Sequence, residues 1–253
     1  MAERKIRLVT KGADAGSCRS ADLAIRDACD DGILRNAAII VPGPTFDELP
    51  ERFADRPGPC LGLHATLNAE WTEVRWGPVL DPSEVPDLVN DKGNFLRTTQ
   101  ALNARNPDPD QMMAEIRAQL DLARTRGLNI EFVDSHMAFT WIADMEARLR
   151  AFAEQEGLVY AFRPVPRVPF DHNASQDIVE QVLDWIETAE PGAYELGAHP
   201  AYDGEDVRRF YTTRTEPGVV ADHREAERRL FTDERIVARC RAEDVEPIRF
   251  TEI

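Results

Sequence analysis

Seven short β-type runs alternate with helical stretches along this chain, and this order constrains the fold more than any other feature. The predicted strands are Ile6–Thr10, Ala37–Val41, Cys60–Leu67, Ile130–Val133, Val159–Phe162, Tyr194–Ala198 and Pro247–Thr251. Strands that alternate with helices pair in parallel through right-handed crossovers. With 253 residues, the chain has the length of one α/β barrel. We therefore predict an α/β fold, a single barrel domain over residues 1–253 with about seven parallel strands.

Helical periodicity fills most of the intervals between these runs. The predicted helices are Ser17–Asp31, Phe46–Ala54, Asp110–Gly127, Ala143–Gly157, Ser175–Ala189, Asp222–Leu230 and Asp233–Asp244. Residues 68–107 differ, because they are rich in Pro, Gly, Asp and Trp and show little periodicity. A loop of that length inside a compact domain usually carries function. We expect this long loop, with a second polar loop at Asp203–Gly218, to choose the substrate.

Charge and composition exclude several classes of protein. The net charge is −16, and basic residues form only short clusters, whereas a nucleic-acid-binding protein needs a basic stripe. No apolar run approaches the roughly 20 residues that cross a membrane, and the first residues lead into a strand rather than a signal peptide. The four cysteines form no CxxC pair. We expect a cytoplasmic protein that binds neither nucleic acid nor membranes.

Side chains that bind metals lie at the ends of three predicted strands. Asp14 follows the first strand, His64 lies near the end of the third, and His136 follows the fourth. The carboxyl ends of parallel strands meet at one face of a barrel. One carboxylate and two imidazoles form a mixed site with open positions for water. We predict one divalent ion there, Zn²⁺ before Mg²⁺, Mn²⁺, Co²⁺ or Fe²⁺, in a hydrolase that activates water.

Other polar and aromatic residues are candidates for the same pocket. His199 follows the sixth strand, where it could protonate a leaving amine or stabilise an oxyanion. Arg163 follows the fifth strand and could hold a carboxylate or a substrate oxygen. Trp71 and Trp76, in the long loop, are either platforms for sugar rings or anchors of the loop. His172 is predicted to line the pocket.

Four short segments occur in a specific order along the chain. They are Gly12-Ala13-Asp14-Ala15-Gly16, Gly62-Leu63-His64, Asp134-Ser135-His136 and His199-Pro200. In this order they resemble the motifs of the YdjC-like, or ChbG/HpnK, carbohydrate deacetylases, and the resemblance runs from the first strand to the last. It implies a distorted (β/α) barrel that removes an N-acetyl group from an acetamido sugar or oligosaccharide with the help of a metal ion. By analogy it also implies a homodimer.

The resemblance implies roles for individual residues and exposes one departure. It assigns the metal to Asp14, His64 and His136, and places His199 on the other side of the amide. Its catalytic base is an aspartate at the position of Ala13, and a methyl group cannot accept a proton.

Three explanations of Ala13 stay open. The residue was exchanged on purpose, the protein binds without catalysing, or another carboxylate from the long loop acts as the base. Two other functions also stay open. One is a non-catalytic sugar-binding barrel, and the other is a metal-dependent hydrolase of another amide or ester.

Overall fold

The computed structural model describes residues 6–53, 58–162, 164–242 and 245–253. These residues contain the seven strands of one sheet, β1 (Ile6–Ala15), β2 (Asn36–Ile39), β3 (Cys60–Ala65), β4 (Ile130–Ser135), β5 (Val159–Tyr160), β6 (Gly192–Ala198) and β7 (Val245–Ile248). The strands pair in parallel in the order β5-β4-β3-β2-β1-β6, and β7 also pairs with β1. The curled parallel sheet confirms the prediction of an α/β fold with a distorted, TIM-barrel-like architecture.

Helices follow most of the strands and cover the sheet. Their bounds are α1 (Arg19–Asp30), α2 (Leu49–Phe53), α3 (Thr99–Asn103), α4 (Pro109–Thr125), α5 (Met145–Glu156), α6 (Ile178–Thr188), α7 (Val219–Thr232) and α8 (Glu234–Arg241). In α4, the buried residues Met112, Ile116, Leu120 and Ala123 recur at three- and four-residue intervals. That spacing gives the helix one apolar face to pack against the sheet. None of the helices in the described residues is long and apolar enough to cross a membrane.

Strand β1 is central because it pairs along both edges. One edge lies against β6, while β7 and β2 share the other, β7 along the first half of β1 and β2 along the second. The buried amide of Asn36 bridges this junction. Its Nδ2 donates to the carbonyl oxygens of Thr10 and Ile248, and its Oδ1 accepts a hydrogen bond from the backbone N–H of Phe250. One side chain thus satisfies backbone groups where two strands share an edge.

The segment after β5 pairs with β6, the strand at the opposite end of the sheet order. The backbone N–H of Val168 donates to the carbonyl oxygen of Glu195 at 2.8 Å, and the N–H of Glu195 donates to the carbonyl oxygen of Pro166 at 2.8 Å. Residues 166–168 therefore add a parallel rung to β6, and the curled sheet approaches a closed barrel.

Strand β1 runs further than its apolar pattern predicts, to Ala15 rather than Thr10. It ends in a tight turn at Gly16, whose φ of 93° lies in the left-handed region. A Cβ at Gly16 would lie 2.6 Å from the carbonyl oxygen of Ile40, so only glycine fits there. The last strand begins two residues earlier than predicted, at Val245, and is followed by a 3₁₀ turn over Phe250–Glu252.

The long loop at residues 68–107 is packed against the barrel and contains one short helix, α3. The buried carboxylate of Glu115, on α4, accepts hydrogen bonds from the backbone N–H groups of Val79 at 2.9 Å and Leu80 at 3.0 Å. Val85 and Phe95 are fully buried. At its start, Glu70 and Trp71 line the cavity above the sheet.

Candidate active site

The three side chains predicted to bind a metal meet at the carboxyl ends of β1, β3 and β4. Asp14 Oδ1 lies 3.6 Å from His64 Nε2 and 3.5 Å from His136 Nδ1. All three residues are buried, and their candidate ligand atoms lie within 4.8 Å of one another. Two ligands bound at 2.0–2.1 Å to a tetrahedral ion lie about 3.4 Å apart. The spacing therefore fits a small divalent cation.

The two oxygens of Asp14 have different surroundings. Oδ2 accepts a hydrogen bond from Arg224 Nη2 at 2.6 Å, whereas Oδ1 is buried without a hydrogen-bond partner among the described residues. Burial alone would raise the pKa of Asp14, but the Arg224 guanidinium, with His136 and His199, holds it well below its ordinary value. A buried, charged oxygen that accepts no hydrogen bond is costly unless a cation, either a metal ion or a protonated imidazole, lies beside it. This donor set could hold a metal ion.

A carboxylate holds each of the two histidines through its far nitrogen. His64 Nδ1 lies 2.5 Å from Asp134 Oδ1, and His136 Nε2 lies 3.0 Å from Glu70 Oε2. His64 and Asp134 are register partners on β3 and β4, so their side chains point to the same side of the sheet. Such carboxylate–histidine pairs orient imidazoles that bind metals. Each histidine thus turns its other nitrogen toward Asp14.

The two carboxylates near His136 favour the protonated form of its imidazole. Burial would lower the pKa of His136, but the carboxylates of Glu70 and Asp14 raise it to about 10. A metal ion at this position would take the place of that proton. Glu70 belongs to the long loop, and its contact with His136 was not predicted from the sequence.

A lysine lies on the inner face of β1, two residues before Ala13. Lys11 Nζ is 2.8 Å from Asp134 Oδ2 and 3.3 Å from Glu195 Oε1. Burial would lower the pKa of Lys11, but the charges of Asp134 and Glu195 keep it raised. Sequence reasoning missed Lys11, because the apolar pattern of β1 ends at Thr10. The buried methyl of Ala13 lines the cavity beside this charged cluster.

Arg224, on α7, does what the sequence analysis expected of Arg163, because it holds a carboxylate of the site. Its guanidinium is buried over the rings of Trp71 at 5.4 Å and Phe210 at 5.2 Å. Those two rings stack at 4.9 Å with an angle of 9° between their planes. An arginine in a charged helical segment has no sequence signal that separates it from a solvated one. Arg163 itself lies outside the described residues.

His199 follows β6, as predicted, and lies beside a carboxylate of α7. Glu227 Oε2 accepts a hydrogen bond from the backbone N–H of His199 at 2.5 Å, and Glu227 Oε1 lies 2.9 Å from His172 Nε2. His172 stacks on His223 with ring centroids 4.1 Å apart. His223, on α7, is partly buried and lines the cavity.

Most of these groups line one cavity of about 370 Å³, a size typical of small-molecule sites. Trp76 and His172 are not among the described residues that line it. The sequence-predicted residues that line it are Ala13, Asp14, His64, Trp71, His136 and His199. Trp76 is buried near His136, and its Nε1 donates to the carbonyl oxygen of Asn68 at 3.0 Å. Contacts of Trp71, Trp76 and His172 with a substrate stay predictions.

Comparison with known proteins places the chain among its relatives. A family model described as "YdjC-like protein" matches residues 7–242. The chain belongs to the YdjC-like family.

Two bacterial proteins named carbohydrate deacetylases are similar to this YdjC-like chain. The protein of Thermoanaerobacter pseudethanolicus is 23% identical over 243 residues, which cover 91% of this chain and 92% of that protein. Carbohydrate deacetylase 1 of Listeria innocua is 25% identical over 133 residues, and the match spans 52% of this chain and 51% of the relative.

The fold of this YdjC-like chain is also found in a crystal structure from Enterococcus faecalis V583. That protein is described as a proposed cellobiose-phosphate cleavage protein. The TM-score is 0.80 with 17% sequence identity, and the likeness covers 98% of both chains. It confirms the architecture of the barrel.

Proposed function

We propose that this chain is a metal-dependent carbohydrate deacetylase, which hydrolyses the N-acetyl group of an acetamido sugar or oligosaccharide. The observation that carries the proposal is the buried group of Asp14, His64 and His136 with a carboxylate behind each histidine. Similarity to proteins named carbohydrate deacetylases supports the reaction class. Residues 1–253 act as one deacetylase domain in this proposal. Homodimers and a cytoplasmic location stay predictions.

Asp14, His64 and His136 would hold one divalent ion, with Zn²⁺ the first choice. Such an ion polarises a carbonyl group and lowers the pKa of water. Arg224 keeps Asp14 charged and fixes its second oxygen, so that the first oxygen remains available. The surrounding residues therefore hold the three buried ligands in fixed orientations.

Two proton transfers complete the hydrolysis of an acetamide. The attacking water must lose a proton, and the leaving nitrogen must gain one before the amino sugar and acetate separate. His199 lines the cavity and supplies the second proton in this proposal. The methyl of Ala13 cannot take the first, so we expect the chain with Ala13 to turn over slowly.

Replacing Ala13→Asp tests this assignment. We expect acetate release from N-acetylated sugars to rise by about 10²- to 10⁴-fold, because the new carboxylate can act as a general base. The measurement is acetate release from a panel of N-acetylated mono- and oligosaccharides, with each protein loaded with Zn²⁺, Mn²⁺, Co²⁺ or Mg²⁺. Ala13→Asn is the matched control, since an amide of the same shape accepts no proton. No gain in the aspartate variant with metal bound would contradict the base assignment.

A non-catalytic sugar-binding barrel is the second candidate, and Ala13 is the observation that favours it. Titration calorimetry with the same sugars separates the two functions. Binding of an acetylated sugar by the native chain, together with an inactive Ala13→Asp variant, would favour the binding protein. Acetate release from non-sugar amides or esters alone would favour a different metal-dependent hydrolase.

A further inference from the structure

We propose that Glu227 is a positioning residue that fixes the imidazole of His199, so that its Nε2 faces the cavity. The inference rests on the proposed function, in which His199 protonates the leaving nitrogen. Glu227 lies on α7, one helical turn after Arg224, so the two side chains share a face of the helix. That face thereby contacts the metal-binding carboxylate through Arg224 and the proton donor through Glu227.

One carboxylate oxygen of Glu227 lies near both the backbone N–H and the ring nitrogen Nδ1 of His199. Oε2 accepts the hydrogen bond from the backbone N–H at 2.5 Å and lies 3.5 Å from the ring nitrogen Nδ1. A carboxylate facing Nδ1 favours the tautomer that carries a proton there. The opposite nitrogen, Nε2, makes no hydrogen bond within the part of the chain that the structure describes. In the imidazolium the second proton lies on Nε2, and its transfer to the leaving nitrogen returns the ring to the Nδ1–H tautomer.

His199 needs such a restraint more than the other histidines of the site. Its side chain is 46% exposed, whereas those of His64 and His136 are 7% and 5% exposed. The packing that holds the buried imidazoles is therefore weaker at His199. An exposed imidazole samples several rotamers, and ordering it costs conformational entropy. The contact with Glu227 offsets that cost before substrate binds.

Glu227 is itself anchored from the opposite side. Its Oε1 lies 2.9 Å from His172 Nε2, and the His172 ring stacks on His223. Burial would raise the pKa of Glu227, but His172 and His199 hold it well below the ordinary value. The carboxylate thus stays charged between two imidazoles, and α7 joins the loop that carries His172 to the end of β6.

Imidazole NMR on the metal-loaded native chain tests the orientation without any need for activity. The chain has five histidines, so the ¹⁵N spectrum is simple, and a His199→Asn variant assigns the His199 signals. We expect one Nδ1–H tautomer for His199 in the native chain and a mixture in Glu227→Ala. Glu225→Ala is the matched control, because Glu225 pairs with Arg228 on the same helix and should leave the spectrum unchanged.

Kinetics in the Ala13→Asp background test the consequence. Glu227→Ala should lower kcat about tenfold or more with KM within about twofold, and Glu227→Gln, which keeps an acceptor oxygen, should restore most of kcat. If the alanine variant does not fold, Glu227→Asp replaces it, because a carboxylate withdrawn by one methylene no longer reaches His199. An unchanged tautomer and kcat, or equal losses in Ala and Gln variants with a raised KM, would overturn the proposal.

The two experiments can reject the deacetylase function and the positioning role of Glu227 independently of each other. If Ala13→Asp releases no acetate from any sugar, the deacetylase function is wrong, and the NMR result still shows whether Glu227 orients His199. If acetate is released and the His199 tautomer is the same with and without Glu227, the positioning role is wrong and the deacetylase function stands.

Discussion

The backbone of Asp14 adopts a conformation that few residues other than glycine adopt. Its φ is 68°, and Met137 and Ala138, directly after His136, have φ values of 54° and 53°. Residues in the left-handed region store strain that the surrounding contacts must hold. At Asp14 those contacts are the Arg224 guanidinium on the side chain and the N–H of Ser17 on the backbone carbonyl. Strain on both sides of the site shows that its geometry is imposed by the fold.

Asp134→Asn should weaken metal binding by about 10- to 100-fold. One carboxylate oxygen of Asp134 contacts His64 Nδ1, and the other accepts a hydrogen bond from the ammonium of Lys11. An amide has only one acceptor oxygen and no negative charge, so it cannot replace both interactions. Competition with a chelating dye measures the affinity for Zn²⁺. Asp144→Asn is the control. Asp144 is exposed, and the ion pair that the structure describes for it is with Arg148, four residues away. Equal affinities for the two variants would show that Asp134 does not support the ligand.

Asp22 links the pH to the stability of the turn after β1. Its buried carboxylate accepts hydrogen bonds from the N–H of Gly16 and the hydroxyl of Thr45, both at 2.6 Å. Burial raises the pKa of Asp22 from 3.8 to about 6. The folded chain therefore binds this proton more tightly than the unfolded chain does. Its stabilising contribution is fully present below the unfolded pKa and is lost as the pH rises through about 6.

Asp22→Asn should consequently raise the free energy of unfolding at pH 7, by up to about 3 kcal/mol. The amide cannot ionise, yet it keeps an oxygen for Gly16 and offers a donor to Thr45. The gain over the native chain should shrink as the pH falls toward 4. Urea unfolding of both proteins across this pH range measures the difference, and a gain independent of pH would contradict the assignment.

At the scale of elements, the two loops above the sheet meet through the stacked rings of Trp71 and Phe210. Phe210→Ala should lower the free energy of unfolding by about 3–5 kcal/mol, because a buried ring leaves a cavity. It should also weaken metal binding, since Arg224 packs over the removed ring and holds Asp14.

Phe231→Ala provides the matched control for this prediction. Phe231 is equally buried on the same helix as Arg224, so the stability loss should be similar. Metal affinity, however, should not change. Loss of affinity in both variants would show that general destabilisation, rather than the ring stack, weakens the site.

The strand-end positions of Asp14, His64, His136 and His199 could be predicted, because a residue's place relative to an apolar run is local information. The order of strands and helices was predictable for the same reason. Glu70, Arg224 and Glu227 could not be found this way, since tertiary packing alone brings α7 and the long loop over the barrel. His223 shows the limit, because charged neighbours in sequence do not reveal a partly buried ring that stacks on another histidine.

At the scale of the whole molecule, the candidate metal site joins parts of the chain that lie far apart in sequence. Its ligands come from β1, from β3 and from the end of β4, and Arg224 adds α7. A metal ion at 100 times its dissociation constant should raise the free energy of unfolding by about 2.7 kcal/mol. For a chain of this size the melting temperature should rise by about 5–10 °C.

Thermal unfolding with and without Zn²⁺ checks this, and chelation with EDTA should reverse the rise. Asp14→Asn is the control, since an amide lacks the charge that the cation requires. A melting temperature that Zn²⁺ leaves unchanged in the native chain would contradict binding at this site. A similar rise in the Asp14 variant would place the ion elsewhere.

The carboxylates behind the two histidines have different origins, since Asp134 belongs to the barrel and Glu70 to the long loop. A chimera that takes this loop from a relative would therefore change the lining of the cavity and the support for His136 at once. Loop grafts intended to change sugar preference should keep a glutamate in register with Glu70. Without it, a graft that succeeds in recognition would lose turnover for an unrelated reason.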